Sequence, residues 1–284
     1  MKLSDYEIVT AADKNYIEFA KAFTRSVNLT LNKTPYIFDL GGISLYKDSL
    51  NAQFIDISVN SDYNKINKQN CIRTIHKPEC IKYFINKFKK HFIFIDADCL
   101  FLKNSFLPSV DVDIFFTFKI YKDQTCKDFQ KNGIINAGVL IFNVNEFNIE
   151  RLNKFIDKWH EYCLRDSEIT DQKALSLILE QYLDIRNLLT SKFETEEISF
   201  RFLSSELYND TSCKTGVIWH FKQAAREQQK FKNFVRISKN VKLYSAIREI
   251  NLILYKIKKL LNPKRYAKRY INELRLYLEK ENAT

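Results

Sequence analysis

The chain has 284 residues, nearly half of them apolar, which is enough to bury one large core or two small ones. Its six scattered cysteines form no CxxC pair, which excludes a zinc ribbon and a dithiol redox motif. The first residues are polar, and no apolar run approaches the roughly 20 residues that span a bilayer, so we expect no signal peptide and a cytoplasmic location.

The net charge of +11 is concentrated near the end of the chain. Residues 222–284 hold 17 Lys and Arg against five Glu, whereas the first 221 residues hold 28 basic and 29 acidic side chains. A neutral body with a basic tail indicates an anionic partner, either a membrane surface or nucleic acid. The sequence therefore predicts a globular domain at residues 1–235 and a basic helical tail at residues 236–284.

Short apolar runs alternate with helical periodicity along the domain, which predicts an α/β fold with a mostly parallel sheet flanked by helices. The predicted strands are residues 7–11, 36–40, 53–57, 92–95, 112–118 and 138–142. The predicted helices are residues 16–31, 79–89, 149–164 and 171–182. Residues 185–215 carry a weak pattern, which predicts a mixture of loop and strand.

The tail carries one narrow apolar stripe at helical spacing. Its members recur at intervals of four and three residues: Leu243, Ile247, Ile250, Leu254, Ile257 and Leu261. Pro263 is expected to end this helix, and residues 265–279 are expected to form a second one.

Two aspartates, Asp96 and Asp98, directly follow the apolar run at residues 92–95. Four consecutive apolar residues predict a strand buried on both faces, and ligands of open α/β sheets bind beyond the carboxyl ends of such strands. Alternate residues of an extended backbone point the same way, so both carboxylates are expected to face one spot. Such a pair suits Mn²⁺ or Mg²⁺, although a D-x-D pair also occurs by chance at strand ends.

Two further segments carry polar groups that suit a ligand site. His220 lies between aromatic residues, and its imidazole is a natural third metal ligand, although most such histidines are structural. Asn136, Ala137 and Gly138 are predicted to form a small-residue turn before a strand, where backbone and amide can approach a ligand closely.

Two helix starts complete the set of candidate segments. Asp171 and Gln172 open a predicted helix behind the N-cap Thr170, where an acidic residue is also favoured for purely structural reasons. Residues 10–16 join the first strand to the first helix, the place where such folds hold a nucleotide, yet they lack the GxGxxG of dinucleotide folds.

The order of these segments closely resembles glycosyltransferase family 8, which includes bacterial lipooligosaccharide galactosyltransferases and glycogenin. The resemblance rests on residues 8–16, 94–98, 135–143, 171–172 and 220–221, and it extends over about four fifths of the chain. It implies a GT-A fold and transfer of a hexose from a UDP-sugar to a glycan or glycolipid acceptor. It further implies retention of anomeric configuration and a role in making a bacterial surface polysaccharide such as lipooligosaccharide or capsule.

The resemblance also implies residue roles. Asp96, Asp98 and His220 would hold Mn²⁺ or Mg²⁺ against the diphosphate, and Asp171 or Gln172 would lie near the anomeric carbon as catalytic residues. The implied nucleotide and donor contacts are Ala11, Asp13, Asn15, Asp96, Ala97, Asp98, Asn136, Ala137, Lys222 and Arg226.

Two positions depart from the family pattern. The family follows its His with Gly and then Lys-Pro-Trp, whereas this chain has Gln223 where the Gly falls. Arg226 then stands in the place of the diphosphate-binding Lys, with Lys222 as a second candidate.

The family also carries an Arg in the helix before its D-x-D, which reaches the donor. An ungapped count puts Glu79 at that position, so the role is vacant or passes to Lys77 or Lys82.

The basic tail resembles the C-terminal helices that hold bacterial members of the family on the inner face of the membrane. The resemblance therefore implies a peripheral membrane protein. The same stripe would also suit packing on the chain's own domain, or a helical homodimer, because its spacing is that of a coiled-coil seam.

Other functions fit the sequence less well. Residues 92–101 loosely resemble the first motif of haloacid-dehalogenase-type phosphatases, in which Asp96 would be the nucleophile, but that motif normally lies near the N-terminus. A sugar-nucleotide pyrophosphorylase would need a Gly-rich N-terminal loop. A non-enzymatic nucleic-acid-binding protein is a further alternative, but the neutral body shows no nucleic-acid motif, so no nucleic-acid partner is expected. An inactive transferase is disfavoured by the presence of all three expected metal ligands.

Overall fold

The computed structural model describes residues 1–58, 65–66, 68, 73–118, 129–130, 133–183, 189–222 and 227–261. The strands are β1 (Glu7–Asp13), β2 (Tyr36–Gly41), β3 (Gln53–Asp56), β4 (Phe92–Ile95), β5 (Cys99–Phe101), β6 (Ile114–Phe118), β7 (Ile135–Phe142), β8 (Phe193–Glu194), β9 (Ser199–Leu203) and β10 (Ile218–His220). The α-helices are α1 (Ile17–Leu31), α2 (His76–Phe88), α3 (Ile149–Leu164), α4 (Asp171–Leu179), α5 (Ser205–Tyr208), α6 (Gln228–Lys239) and α7 (Val241–Leu261). Short 3₁₀ helices lie at Leu3–Asp5, Lys14–Tyr16, Ile43–Ser49 and Glu180–Tyr182.

Eight strands form one mixed sheet in the order β3-β2-β1-β4-β7-β6-β9-β8. Strands β3, β2, β1 and β4 are parallel, as are β6 and β9, whereas β7 runs antiparallel to both of its neighbours and β8 antiparallel to β9. Strands β5 and β10 form a separate antiparallel pair. The predicted α/β architecture with a mostly parallel sheet is confirmed.

The central strand β4 shows why the sheet is covered on both faces. Phe92 and Phe94 pack in one core cluster together with residues of α2, α3 and α4. Ile93 and Ile95 point the other way and pack in a second cluster with residues of α1. Because alternate side chains of a strand face opposite sides, an unbroken apolar run is what a strand between two helical layers requires.

Two short strands and one turn differ from the sequence prediction. Strands β5 and β10 have three residues each, too few to produce a periodic pattern, and they pair across more than a hundred residues of chain. The predicted turn at residues 136–138 is wrong: these residues lie inside β7, which begins at Ile135 and is buried along its whole length. Glycine fits at position 138 because the side chains of His220 and Asp96 pack against the strand there.

The first part of the basic tail is attached to the domain. The predicted boundary after residue 235 falls inside α6, and Ile237 and Val241 pack in a core cluster with residues of α1. In α7, the Nε of the buried Arg248 donates to the Thr215 carbonyl at 3.1 Å, and the Tyr255 hydroxyl donates to Glu206. The predicted second tail helix at residues 265–279 lies outside the described residues.

The apolar stripe of α7 faces away from the described part of the domain. Five of its side chains are between 37% and 60% exposed: Leu243, Ile247, Ile250, Leu254 and Ile257. The polar and aromatic face of the helix, with Arg248, is the one that contacts the domain. Among the helices that the structure describes, none is both long and apolar enough to cross a membrane.

Candidate active site

Asp96 and Asp98 lie where β4 leaves the sheet. Strand β4 ends at Ile95, and the next residues form a turn in which the Cys99 amide donates to the Asp96 carbonyl at 3.1 Å. The expectation of extended backbone from 96 to 98 is therefore wrong. The turn nevertheless brings both carboxylates to the same side, because it folds the chain back into β5 just beyond the carboxyl end of β4.

His220 reaches this turn from a distant part of the chain. Strand β10 places it directly opposite Cys99 of β5, and the Phe221 amide donates to the Asp98 carbonyl at 2.9 Å. His220 Nε2 lies 3.3 Å from Asp98 Oδ1 and 3.8 Å from Asp96 Oδ2. The structure thus brings together the three side chains that the sequence nominated as metal ligands.

Gly138 provides the space in which these three side chains meet. A Cβ atom built on Gly138 would lie 2.5 Å from His220 Cε1 and 3.1 Å from Asp96 Oδ2. The Gly138 carbonyl also accepts a hydrogen bond from the Asp96 amide at 3.0 Å. Because β7 and β4 are antiparallel, the start of β7 adjoins the end of β4, and only glycine allows His220 to lie so close to that strand.

A chain of hydrogen bonds orients the His220 ring. Its Nδ1 lies 2.8 Å from Asn209 Oδ1, and Asn209 Nδ2 donates to Thr117 Oγ1 at 2.8 Å. The Thr117 hydroxyl donates in turn to the Asn136 carbonyl at 2.9 Å. Since the Asn209 amide group donates to Thr117, its oxygen faces the ring and accepts from Nδ1, and Nε2 is turned toward the two carboxylates.

Sequence reasoning missed Asn209 and Thr117. Asn209 lies in the segment with the weakest periodic pattern, just after α5, and Thr117 reads as an ordinary strand residue of β6. Neither residue type nor spacing links them to His220. Their contact depends on the pairing of β10 with β5 and of β6 with β7, which only the folded chain establishes.

Lys77 joins the D-x-D turn to the start of α4. Its Nζ lies 2.8 Å from Asp96 Oδ1 and 3.0 Å from Asp171 Oδ2, and it donates to the Ala137 carbonyl at 3.1 Å. Lys77 is 4% exposed and Asp171 is 2% exposed. The Lys77 ammonium therefore forms ion pairs with both carboxylates and donates a hydrogen bond to the Ala137 carbonyl.

The charges of this cluster shift the pKa values of its members in opposite directions. Burial by itself would lower the pKa of Lys77, but the carboxylates of Asp171 and Asp96 raise it well above its usual range. Burial would raise the pKa of Asp98, yet His220 and Lys77 lower it overall. Lys77 is therefore an ammonium and Asp98 a carboxylate at neutral pH.

The other two candidates on α2 face away from the site. Glu79 Oε1 lies 3.4 Å from His160 Nε2, and Lys82 pairs with Asp157. Both partners belong to α3. They line a groove between α2 and α3 on the outer surface. Of the three residues that the sequence offered for the family's arginine position, only Lys77 therefore reaches the D-x-D turn.

Asp171 is held firmly in place from several directions. The Asp171 amide donates to the Arg73 carbonyl at 3.1 Å, and Trp159 Nε1 donates to the Asp171 carbonyl at 2.9 Å. The predicted N-cap is confirmed, since Thr170 Oγ1 accepts a hydrogen bond from the Lys173 amide. Gln172, the next residue, is partly buried in the first turn of α4.

The predicted nucleotide-binding residues lie at the end of the neighbouring strand. Strand β1 pairs with β4 up to Val9 and Phe94, so Ala11 follows at the level of the D-x-D turn. Asp13 Oδ1 accepts a hydrogen bond from the Asn15 amide at 2.8 Å and begins the 3₁₀ helix there. Ala97 is buried in the turn between the two aspartates.

Asn136 and the two basic candidates differ in how far the structure describes them. Asn136 is buried in β7, and its Oδ1 accepts a hydrogen bond from the Gly138 amide. Lys222 follows His220 by two residues and is partly buried. Arg226 lies outside the described residues.

The side chains around His220 are of types that suit a divalent cation such as Mn²⁺ or Mg²⁺. Ligand atoms of an octahedral ion with bonds of about 2.1 Å stand about 3 Å apart, and His220 Nε2 lies 3.3 Å from an Asp98 oxygen and 3.8 Å from an Asp96 oxygen. Within the described part of the chain, the ligand atoms that all lie within 4.8 Å of one another belong to Asp98, Cys99 and His220, so Asp96 must move toward Asp98 to share an ion. Two carboxylates and one imidazole nitrogen suit these ions, and the hydrogen bond at Nδ1 leaves Nε2 free to bind.

The amino-acid sequence matches a known family over most of the folded domain. The profile of the nucleotide-diphospho-sugar transferase family matches residues 55–242, about two thirds of the chain. That match confirms the glycosyltransferase resemblance of the sequence motifs. A search of curated protein sequences gives no match.

Several solved glycosyltransferase structures are similar to this one. The galactosyltransferase LgtC, in complex with donor and acceptor sugar analogs, is 15% identical, with a TM-score of 0.49 over 81% of this chain and 95% of that chain. The glycosyltransferase GlyE of Streptococcus pneumoniae TIGR4 is 14% identical, with a TM-score of 0.48 over 90% of this chain and 64% of that chain. The bifunctional WbbM is 14% identical, with a TM-score of 0.43 over 71% and 39%.

Proposed function

The chain belongs to the nucleotide-diphospho-sugar transferase family, and we propose that it transfers a hexose from a UDP-sugar to a glycan or glycolipid acceptor in a metal-dependent reaction. It is thus a glycosyltransferase, and the phosphatase and nucleic-acid-binding alternatives lose their support. The D-x-D segment, which a phosphatase would use for its nucleophile, lies inside the matched region.

The observation that carries the proposal is that Asp96 and Asp98 both face His220 beyond the carboxyl end of β4. Asp171 and Lys77 adjoin these three residues, so the cluster holds three acidic side chains beside one lysine and one histidine. Such an excess of acidic groups favours a divalent cation. Such a cation, when bound, stabilises negative charge on a leaving nucleoside diphosphate.

The remaining residues of the site receive roles that agree with their positions. Ala11, Asp13 and Asn15, at the end of β1, would contact the uridine. Lys222 would contact the diphosphate, because it follows His220 closely and carries a positive charge.

At the donor sugar, we assign Asp171 and Gln172 to the face of the anomeric carbon opposite the leaving group. We assign retention of configuration on the strength of the sequence resemblance. Lys77 would hold Asp171 in place there, through the contact of 3.0 Å between Nζ and Oδ2.

The outward apolar stripe of α7 supports attachment to an anionic membrane surface. The stripe is exposed, and Lys242 and Lys256 lie on the same helix, where lipid phosphates would attract them. We therefore propose that the enzyme works at the inner face of a bacterial membrane on a surface polysaccharide such as lipooligosaccharide or capsule. The alternative is a homodimer formed through the same stripe. Binding to anionic liposomes would favour the membrane, and a dimer in solution would favour the alternative.

Calorimetric titration tests the nucleotide site directly. We expect purified protein to bind UDP in the presence of Mn²⁺ and far more weakly without it, and a panel of UDP-sugars to nominate the donor by affinity. Asp98→Ala should abolish metal-dependent binding of UDP and transfer of the sugar. It should leave the fold intact, because it removes a metal ligand beyond the carboxyl end of β4 and no core side chain.

Asp157→Ala is the matched control, because it removes an exposed carboxylate from α3 on the outer surface of the domain. It should bind UDP and Mn²⁺ as the wild-type protein does. An Asp98→Ala protein that remains active and metal-dependent would show that the metal site is elsewhere.

A further inference from the structure

Cys99 adds a sulfur ligand beside the proposed metal site. It lies in β5 directly opposite His220 of β10, and side chains of directly paired strand residues stand on the same face. One ligand atom each from Asp98, Cys99 and His220 all lie within 4.8 Å of one another. Among the described residues, Asp98, Cys99 and His220 are the histidine, cysteine and acidic side chains that form a group of three with all ligand atoms this close together.

This ligand set differs in chemistry from the one formed with Asp96. Asp96, Asp98 and His220 offer two oxygens and one nitrogen, which suit Mn²⁺ or Mg²⁺. Replacing Asp96 by Cys99 exchanges an oxygen for a sulfur, and a mixed set of sulfur, nitrogen and oxygen is typical of Zn²⁺. Asp96 is also drawn away from this set, since its Oδ1 is bound by Lys77 at 2.8 Å.

The geometry requires only a small rearrangement. Around a tetrahedral Zn²⁺ with bonds of about 2.0–2.3 Å, ligand atoms stand about 3.3–3.8 Å apart, so atoms that lie up to 4.8 Å apart must close by about 1 Å. The side chain of Asp98 is 17% exposed, whereas Cys99 and His220 are almost fully buried. Asp98 is therefore the ligand that solvent reaches most readily.

We propose that Asp98, Cys99 and His220 form a zinc-binding site that competes with the metal of the transferase reaction. Because Asp98 and His220 belong to both ligand sets, the two ions exclude each other. Binding breaks the S–H bond of Cys99, releases its proton to solvent and forms a zinc–sulfur bond, with no change of oxidation state. The competition rests on the proposed function, whereas the zinc site itself does not.

The test measures metal binding rather than transfer. The full chain, under reducing conditions, is titrated with Zn²⁺ by calorimetry and with Co²⁺ by absorption, since a cobalt–thiolate bond gives a charge-transfer band in the near ultraviolet. We expect the band in wild-type protein and its loss in Cys99→Ala, together with at least a tenfold weaker affinity for Zn²⁺. Cys80→Ala, which removes an equally buried thiol from α2, is the control and should behave as wild type.

Competition is measured from the electron paramagnetic resonance signal of free Mn²⁺. Zn²⁺ should release bound Mn²⁺ from the wild-type protein, and at least tenfold more Zn²⁺ should be needed with Cys99→Ala. Cys99→Ser, which nearly preserves side-chain volume, repeats the test if the alanine variant does not fold. Equal zinc affinity of wild-type and Cys99 variants, without a Cys99-dependent band, would overturn the proposal. Cys99-dependent zinc binding by a protein that binds no Mn²⁺ would keep the zinc site and refute Mn²⁺ as the metal of the proposed reaction.

Discussion

Replacing Lys77 by Met tests whether the buried ammonium holds the site together. The substitution keeps the length of the side chain but leaves Asp171, 2% exposed, without its cation. Breaking a buried ion pair from one side costs about 3–5 kcal/mol, because an uncompensated charge stays buried. At about 2–4 °C per kcal/mol for a domain of this size, the melting temperature should fall by about 6–20 °C.

Lys82→Met on the same helix is the matched control. Lys82 pairs with Asp157 at the surface, where both side chains are well exposed, so its removal should cost at most about 1 kcal/mol. Urea unfolding of both variants measures the difference. The double variant Lys77→Met with Asp171→Asn should recover part of the loss, because it removes the stranded charge. Equal destabilisation by Lys77→Met and Lys82→Met would refute the reasoning.

Three further predictions concern His220, its surroundings and acid stability. Asn209→Leu should weaken Mn²⁺ binding by about 10- to 100-fold, because His220 loses the hydrogen bond that fixes its ring; unchanged Mn²⁺ affinity in calorimetry would contradict this. Gly138→Ala should abolish Mn²⁺-dependent UDP binding while the circular dichroism spectrum stays normal, because the added Cβ would displace His220. Val139→Ala, by contrast, should lower the free energy of unfolding without changing the affinity for Mn²⁺. Burial by itself would raise the pKa of Asp39, but hydrogen bonds from Ser44 and nearby amides lower it overall. The Asp39 carboxylate therefore stabilises the fold above about pH 4, and this stabilisation is lost as the pH falls further. Asp39→Ala should reduce the slope of the unfolding free energy against pH in acid.

The elements with strong periodic patterns were predictable from local sequence. Strand β4 and helix α3 have the predicted bounds, and α1 begins one residue later than predicted. Their apolar residues repeat over enough positions to specify which faces are buried, whatever the partner turns out to be.

The short elements around the site were not predictable in the same way. Strand β10 has three residues, and its place opposite Cys99 depends on a partner more than a hundred residues earlier in the chain. The segment that contains Asn136 and Gly138 suggested a turn because small residues are common in turns. In the folded chain Gly138 leaves room for His220, whose ring would lie 2.5 Å from a Cβ atom at that position.

The sequence by itself determined the α/β class and the order of the longer elements, because these depend on residue types and on spacing along the chain. Through its family resemblance it also nominated Asp96, Asp98 and His220 as metal ligands. Only the tertiary structure decided that Lys77 rather than Glu79 or Lys82 faces the D-x-D turn, and that Asn209 orients the His220 ring. These choices depend on which side of α2 faces β4 and on how β10 pairs with β5. Contacts between residues far apart in the chain leave no periodic pattern, so their geometry appears only when the core closes around them.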